Sequence, residues 1–290
     1  MIKLLLTGSN GQLGRLVQQQ FAGLPQFSLQ ACSRAALDIT DAAALHQLFA
    51  AYLPDIVIHC AAYTAVDQAE LQHDLCHSVN VTALQQLAQL CRQHGSLLIS
   101  ISSDYVFDGN KTRPYTEQDQ PAALNQYGKS KHLGEQAAAQ AVKHITLRTS
   151  WLFSDISHNF ATTIWRRAQR AQPTTVVQDQ FGGPTPARAL AQAICQLAQQ
   201  YADNGHLPYG LYHFSGYPYC SWYDFAHAIY QLAAPQHVNQ LSAIASPFPG
   251  ALARRPAYSC LNMQRFQQRF MLAAPDWRTE LALYVNKLAE

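Results

Sequence analysis

Apolar positions along this chain fall into two alternating periods. "IKLLL" (Ile2–Leu6) is a continuous apolar run followed at once by a glycine turn, the pattern of a strand buried on both faces. From Gln12 the apolar residues move to Leu13, Leu16, Val17 and Phe21, a helical spacing stopped by Gly23 and Pro25. The exchange repeats. Strands are predicted at 27–33, 55–62, 96–103 and 144–150. Helices are predicted after Asp41, which is placed as an N-cap, over 79–93, and across "NQYGKSK". Strand and helix in alternation imply a parallel sheet covered on both faces, an α/β doubly wound fold.

Beyond Ser150 the alternation loosens. Helices are expected at 160–170, 187–201, 222–232 and 277–288, with short strands at 174–177 and 210–215. Prolines and glycines gather at 184–186 and 247–256. The chain therefore divides into a dinucleotide-binding domain over 1–150 and a smaller, aromatic-rich α/β substrate-binding part over 151–290. The chain is expected to return to the first domain around 187–216.

Composition narrows the classes. Apolar residues are 48% of the 290, enough for a sizeable core, and charged residues only 13%. Lys+Arg 20 against Asp+Glu 18 leaves no basic stripe for nucleic acid. The amino-terminal apolar run is too short for a signal peptide, and no stretch reaches the roughly 18 residues of a membrane span. Seven cysteines, scattered and never spaced CxxC, fit reduced thiols in a cytoplasmic protein, and no metal site is predicted.

Candidate chemistry sits where strands end. "TGSNGQLG" sets Gly8, Gly11 and Gly14 between the first strand and the first helix. There a pyrophosphate can approach backbone N–H groups at a helix amino end. At the end of the second strand, Ser33 and Arg34 stand where an acid would hold the ribose hydroxyls of NAD. A guanidinium suits a 2′-phosphate, so NADPH is expected, with NADH as the alternative and a solvated arginine as the competing reading. Asp38 is assigned to the adenine side. Tyr127 and Lys131, four apart, share a helix face. An ammonium and a cationic nicotinamide together could lower a phenol from about 10 toward neutrality, making a general acid for a ketone. Ser103, at the carboxyl end of the fourth strand, is placed to hydrogen-bond the developing alkoxide. Asp104 is read as a turn cap in preference to a substrate ligand, and Trp151 as a stacking plane or a core residue with equal weight. Arg254 and Arg255 are candidates for a diphosphate, against a solvated loop pair.

Taken in order, these stretches resemble the extended short-chain dehydrogenase/reductase superfamily and, within it, the dTDP-4-dehydrorhamnose reductase family. The matching segments include "LLLTGSNGQLG", "PDIVIHCAAYTAVDQAE", "SSDYVFDG", "NQYGKSKHLGEQ", "LRTSWLF" and "RRPAYSCLN". The resemblance implies a Rossmann-like fold and hydride transfer from NADPH to C4 of dTDP-4-dehydro-β-L-rhamnose. It implies Tyr127 as proton donor, Lys131 as its partner and Ser103 as carbonyl ligand. It extends the cofactor set to Asn10, Gln12, Leu13, Ile39, Ala61, Ala62 and Tyr63. It places Thr64, Val66, Asp104, Tyr105, Trp151 and Arg255 around the sugar nucleotide. Two departures stand out: Ser103 replaces the family's usual threonine, and Arg15 stands where relatives associated with magnesium carry an acid, so Mg2+ is not expected to be required. A homodimer is compatible with the family. The alternatives are a reductase or epimerase of another nucleotide sugar, or a non-catalytic NADP-binding regulatory subunit of the methionine adenosyltransferase type.

Overall fold

The structure, a computed structural model, describes residues 1–248 and 250–289; Pro249, in the proline-rich cluster noted above, and Glu290 lie outside the described residues. Its centre is a parallel sheet of six strands: β1 (Ile2–Thr7), β2 (Phe27–Cys32), β3 (Ile56–His59), β4 (Leu97–Ser103), β5 (His144–Thr149) and, much later in the chain, β10 (Gly210–His213). The spatial order is β10-β5-β4-β3-β1-β2. The chain leaves β1 toward β2 on one side and returns to β3 on the other. The loops after β1 and β3 therefore part, opening a crevice at the carboxyl ends of the strands.

Alternation along β1 explains the two helical layers. Leu4 and Leu6 face one way and pack with α1 (Gln12–Phe21) and α8 (Ala187–Asn204), where Leu13, Leu16, Leu190 and Ile194 are buried. Leu5 faces the other way, onto Leu45 and Phe49 of α2 (Ala42–Tyr52) and Leu84 and Leu87 of α5 (Ala83–His94). Asp41 caps α2, its carboxylate accepting from Ala44 N–H. The expected 79–93 helix differs at its start, where Ser78–Thr82 is a π-helical turn leading into α5. Two short helices precede it, α3 (Val66–Ala69) and α4 (His73–His77), too brief to leave a periodic signal.

α6 (Gln126–Ala138) carries the tyrosine–lysine face. Asn125 caps it by accepting from Gly128 N–H at 2.7 Å. A Cβ on Gly128 would lie 2.0 Å from the Tyr105 carbonyl oxygen, so only glycine lets this first turn close against the end of β4.

The remaining elements form a separate apolar cluster. It joins α7 (Phe160–Gln169), α9 (Trp222–Ala233) and α11 (Trp277–Ala289) through Ile164, Phe225, Ile229, Tyr230 and Leu281. Short strand pairs link it: β7 (Thr174–Val177) with β12 (Leu241–Ile244), β8 (Phe181–Gly182) with β11 (Cys220–Ser221), and β6 (Leu152–Phe153) with β9 (Thr185–Pro186). α10 (Gln264–Phe270) returns to the main core through Phe266 and Phe270.

Candidate active site

A cavity of about 410 Å³ lies over the carboxyl ends of β3, β4 and β5. Six separate stretches converge on it: Gly11–Gly14, His59–Ala62 with Thr64, Ile101–Asp104, the pair Tyr127 and Lys131, Thr149–Leu152, and His158 with Asn159. A neighbouring cavity of about 340 Å³ shares Gly11, Cys60, Ala61 and Ala62 with the first and continues to Gly8, Asn10, Arg34, Asp38, Ile39 and Tyr63. The two form one crevice running across the β1–β3 divide.

The glycine loop shapes its floor. A Cβ on Gly14 would lie 2.2 Å from the Gly8 carbonyl oxygen, so this turn cannot close around a larger residue. Gly11 occupies the N-cap of α1 without any side-chain cap, leaving the first N–H groups of the helix without a partner among the described residues, beside both cavities. Such donors, with the positive end of the helix dipole, suit a dinucleotide diphosphate. Tyr63 is held from behind, its N–H and carbonyl both bonded to the Asn80 side chain, which also reaches Ser130. Asp38 folds back on Thr40, accepting from both its N–H and its hydroxyl.

At the other end, Lys131 is buried and its Nζ donates to the Ile101 carbonyl at 2.6 Å. Burial brings its ammonium down to about 8, against the pull of Glu135. The lowering expected for Tyr127 is assigned to Lys131 and a cationic nicotinamide acting together; in the protein alone the shift runs the other way. Burial pushes its phenol up to about 12; the Ser103 hydrogen bond opposes this, and the charges of Asp104 and Cys76 reinforce it. A tuned phenol is therefore not a property of the free protein; it requires a further positive charge in the cavity. Asp104 is not the turn cap expected. Ser103 caps the turn, accepting from Tyr105 N–H at 3.1 Å, while the Asp104 carboxyl is buried and bonded to Ser103 and Ser259.

Other expected residues are placed as follows. Trp151 lines the main cavity with φ 47°, its ring stacked on Trp222 at 3.6 Å and 11°. Tyr105 faces a second cavity of about 470 Å³, walled by Phe160, Arg167, Val176, Trp222 and Phe248. Arg255 reaches the same cavity, but its guanidinium is paired with Asp67 at 2.6 Å and lies over Phe248. Arg254 is exposed, and its carbonyl accepts from Asn125. Ser33 and Val66 stand apart from these walls: Ser33 opens a turn by accepting from Ala36 and Leu37 N–H, and Val66 begins α3.

Sequence reasoning missed Arg167 and Trp222, both in the wall of the second cavity. It also missed Asn159, which caps α7 and donates to Gln12, tying the C-terminal part to the glycine loop. Thr149, opposite Ser103 in the β4–β5 register, lines the main cavity with a buried hydroxyl that has no partner among the described residues. Among the described residues, no cluster of three or more His, Cys, Asp or Glu is placed to hold a metal ion.

Comparisons with known proteins bear on the family and the fold. The family model described as the RmlD substrate binding domain matches residues 2–290. The dTDP-4-dehydrorhamnose reductase of Aggregatibacter actinomycetemcomitans is 40% identical over 97% of each chain. The dTDP-4-dehydrorhamnose reductase crystal structure from Clostridium acetobutylicum superposes with a TM-score of 0.91 at 33% identity, covering 100% of both chains. That of the Bacillus anthracis enzyme in complex with NADP gives 0.90 at 33% identity, covering 99% of this chain and 100% of its own. This chain belongs to the dTDP-4-dehydrorhamnose reductase family.

Proposed function

We propose that the protein reduces the C4 ketone of dTDP-4-dehydro-β-L-rhamnose with NADPH, giving dTDP-L-rhamnose. The observation that carries this reading is the convergence of Ser103, Tyr127 and Lys131 on one cavity continuous with the uncapped amino end of α1. Family membership supports it at full length.

NADPH, when bound, supplies the hydride. The chain's own residues do the rest. The N–H groups of Gln12, Leu13 and Gly14 would hold the diphosphate, and Arg34 would present its guanidinium fork to the 2′-phosphate. Lys131, fixed at Ile101, holds the nicotinamide ribose and lends positive potential to the phenol. Tyr127 would donate its proton to O4 of the ketone, and Ser103 would stabilise the charge developing on that oxygen. The stacked Trp151–Trp222 pair closes the sugar end. The second cavity, with aromatic plates and the Arg167 and Arg255 cations, receives the nucleoside diphosphate. On this reading residues 1–150, with the returning α8 and β10, bind the cofactor, and the α7–α9–α11 cluster binds substrate. Among the described residues no helix is long and apolar enough to cross a membrane.

The test is NADPH oxidation with a panel of nucleotide 4-keto sugars, with product stereochemistry read by NMR. Turnover with the dTDP-linked ketone, yielding the rhamno product, is expected. NADPH binding without turnover on any ketone would turn the assignment toward a regulatory subunit.

A further inference from the structure

Ser103 has one hydrogen to donate, and in this structure it is already committed. Its hydroxyl donates to Asp104 Oδ1 at 3.1 Å and accepts from Tyr105 N–H at 3.1 Å. The other carboxyl oxygen of Asp104 accepts from Ser259 at 2.6 Å, so a side chain 155 residues away fixes the group from the C-terminal part. With Asp104 ionised, Ser103 can only accept from the cavity side, which suits a phenolic hydrogen and not a ketone oxygen. With Asp104 protonated, the acid hydrogen goes to Ser103 Oγ, and the serine hydrogen is released toward the cavity. Every donor and acceptor of Ser103 is then used once: two accepted bonds, one donated to the ketone.

Resting on the reading that Ser103 touches O4, we propose that Asp104 is a positioning residue whose protonation state sets the direction of the Ser103 hydroxyl, the productive form being the neutral acid anchored by Ser259.

The surroundings favour that form near neutrality. Asp104 is 2% exposed. Burial pushes its carboxyl up to about 7, against hydrogen bonds from Ser259, Ser103 and Tyr105 N–H. The titratable groups facing it are Tyr105 on its own turn, Tyr127 from α6 and Cys260 beside Ser259; none is a cation. The chemistry is a proton held and returned: no bond to substrate forms at Asp104, and the proton consumed in reduction still comes from Tyr127.

The experiment is a pH profile of ketone reduction for the wild type, Asp104→Asn and Ser259→Ala, beside a 13C NMR titration of the Asp104 carboxyl in the cofactor-free protein, with Asp104→Asn assigning the signal. The wild-type rate should fall as pH rises through the NMR midpoint near 7, by about tenfold per pH unit. Asp104→Asn mimics the neutral acid, since its amide donates to Ser103 and its carbonyl accepts from Ser259. It should stay active at low pH and lose that limb, leaving a later one from Lys131, the shape of the profile and not its absolute height being the readout. Ser259→Ala removes a bond to the carboxylate and should move both limb and midpoint to higher pH. An Asn variant with an unchanged limb, or without activity at low pH, overturns the proposal, as does an NMR midpoint below about 5, near the ordinary carboxyl value. If the wild type turns over no ketone, the functional reading falls, while the NMR midpoint and its response to Ser259→Ala still decide the ionisation of Asp104.

Discussion

Ser102 and Ser103 are neighbours at the end of β4, and each donates to a buried carboxyl, yet the two carboxyls differ. Ser102 bonds Glu135 at 2.6 Å; the same carboxylate takes both forks of Arg148 at 2.7 Å. Burial raises its affinity for a proton, but Arg148, His132 and Ser102 outweigh that and hold it down at about 2. Arg148 is itself fully buried, its guanidinium over Phe107 and beside His213. Ser103 bonds Asp104, which has two hydroxyls and no cation, and there burial wins. The lesson is one of sign. The same low-dielectric setting yields a fixed structural anion where a guanidinium is supplied and a titratable acid where only hydroxyls are. The titratable one lies in the cavity wall.

The comparison can be broken from either side. Beside Asp104, Tyr127→Phe removes the donated proton, and kcat should fall by about 10²–10⁴-fold, with NADPH affinity measured by fluorescence nearly unchanged. Undiminished turnover would end the case for the phenol. Beside Glu135, Arg148→Met leaves a buried anion alone and should lower stability by about 3–5 kcal/mol in urea unfolding. Adding Glu135→Leu to that variant should recover much of the loss, because an apolar pair needs no compensation. A double variant no more stable than the single one would mean that Phe107 and His213 packing, not charge, is what Arg148 supplies.

The pH dependence of stability separates the two carboxyls by direction. Glu135 titrates below its unfolded value of 4.5, so its contribution is full above that value and is lost as pH falls toward 2. Asp104 titrates above its unfolded value of 3.8. Its contribution is full below that value and is lost as pH rises through about 7. Urea midpoints from pH 3 to 9, each condition being a choice of the experimenter, should show the acid slope diminish in Arg148→Met and the neutral slope diminish in Asp104→Asn. The smallest effect is expected at an exposed cation: Arg34→Ala should reduce the preference for NADPH over NADH by roughly tenfold, near 1.4 kcal/mol, because water already screens that charge. An unchanged ratio of Michaelis constants would leave Arg34 a surface residue.

Much of this was legible in the chain. Apolar runs and helical spacings located the strands and helices of the sheet, and the Asp41 cap was visible because capping is a local hydrogen bond. The Tyr127–Lys131 face followed from helix geometry alone. Local pattern could not reach the Ser259–Asp104 bond, the Asp67–Arg255 pair or the Asn159–Gln12 tie, since each joins residues more than a hundred positions apart. Nor could it reach the burial that raises the Tyr127 phenol in the protein alone, because solvation depends on what the fold brings near a group, not on its sequence neighbours.

The sequence by itself determined the alternation of strand and helix, the glycine turn, the Asp41 cap and the family, because these rest on backbone sterics, short-range bonds and the order of motifs. Only the tertiary structure decided which buried acid received a cation. That choice depends on where Arg148 and Ser259 arrive in space, and the Coulomb and desolvation terms it balances depend on three-dimensional distance and burial.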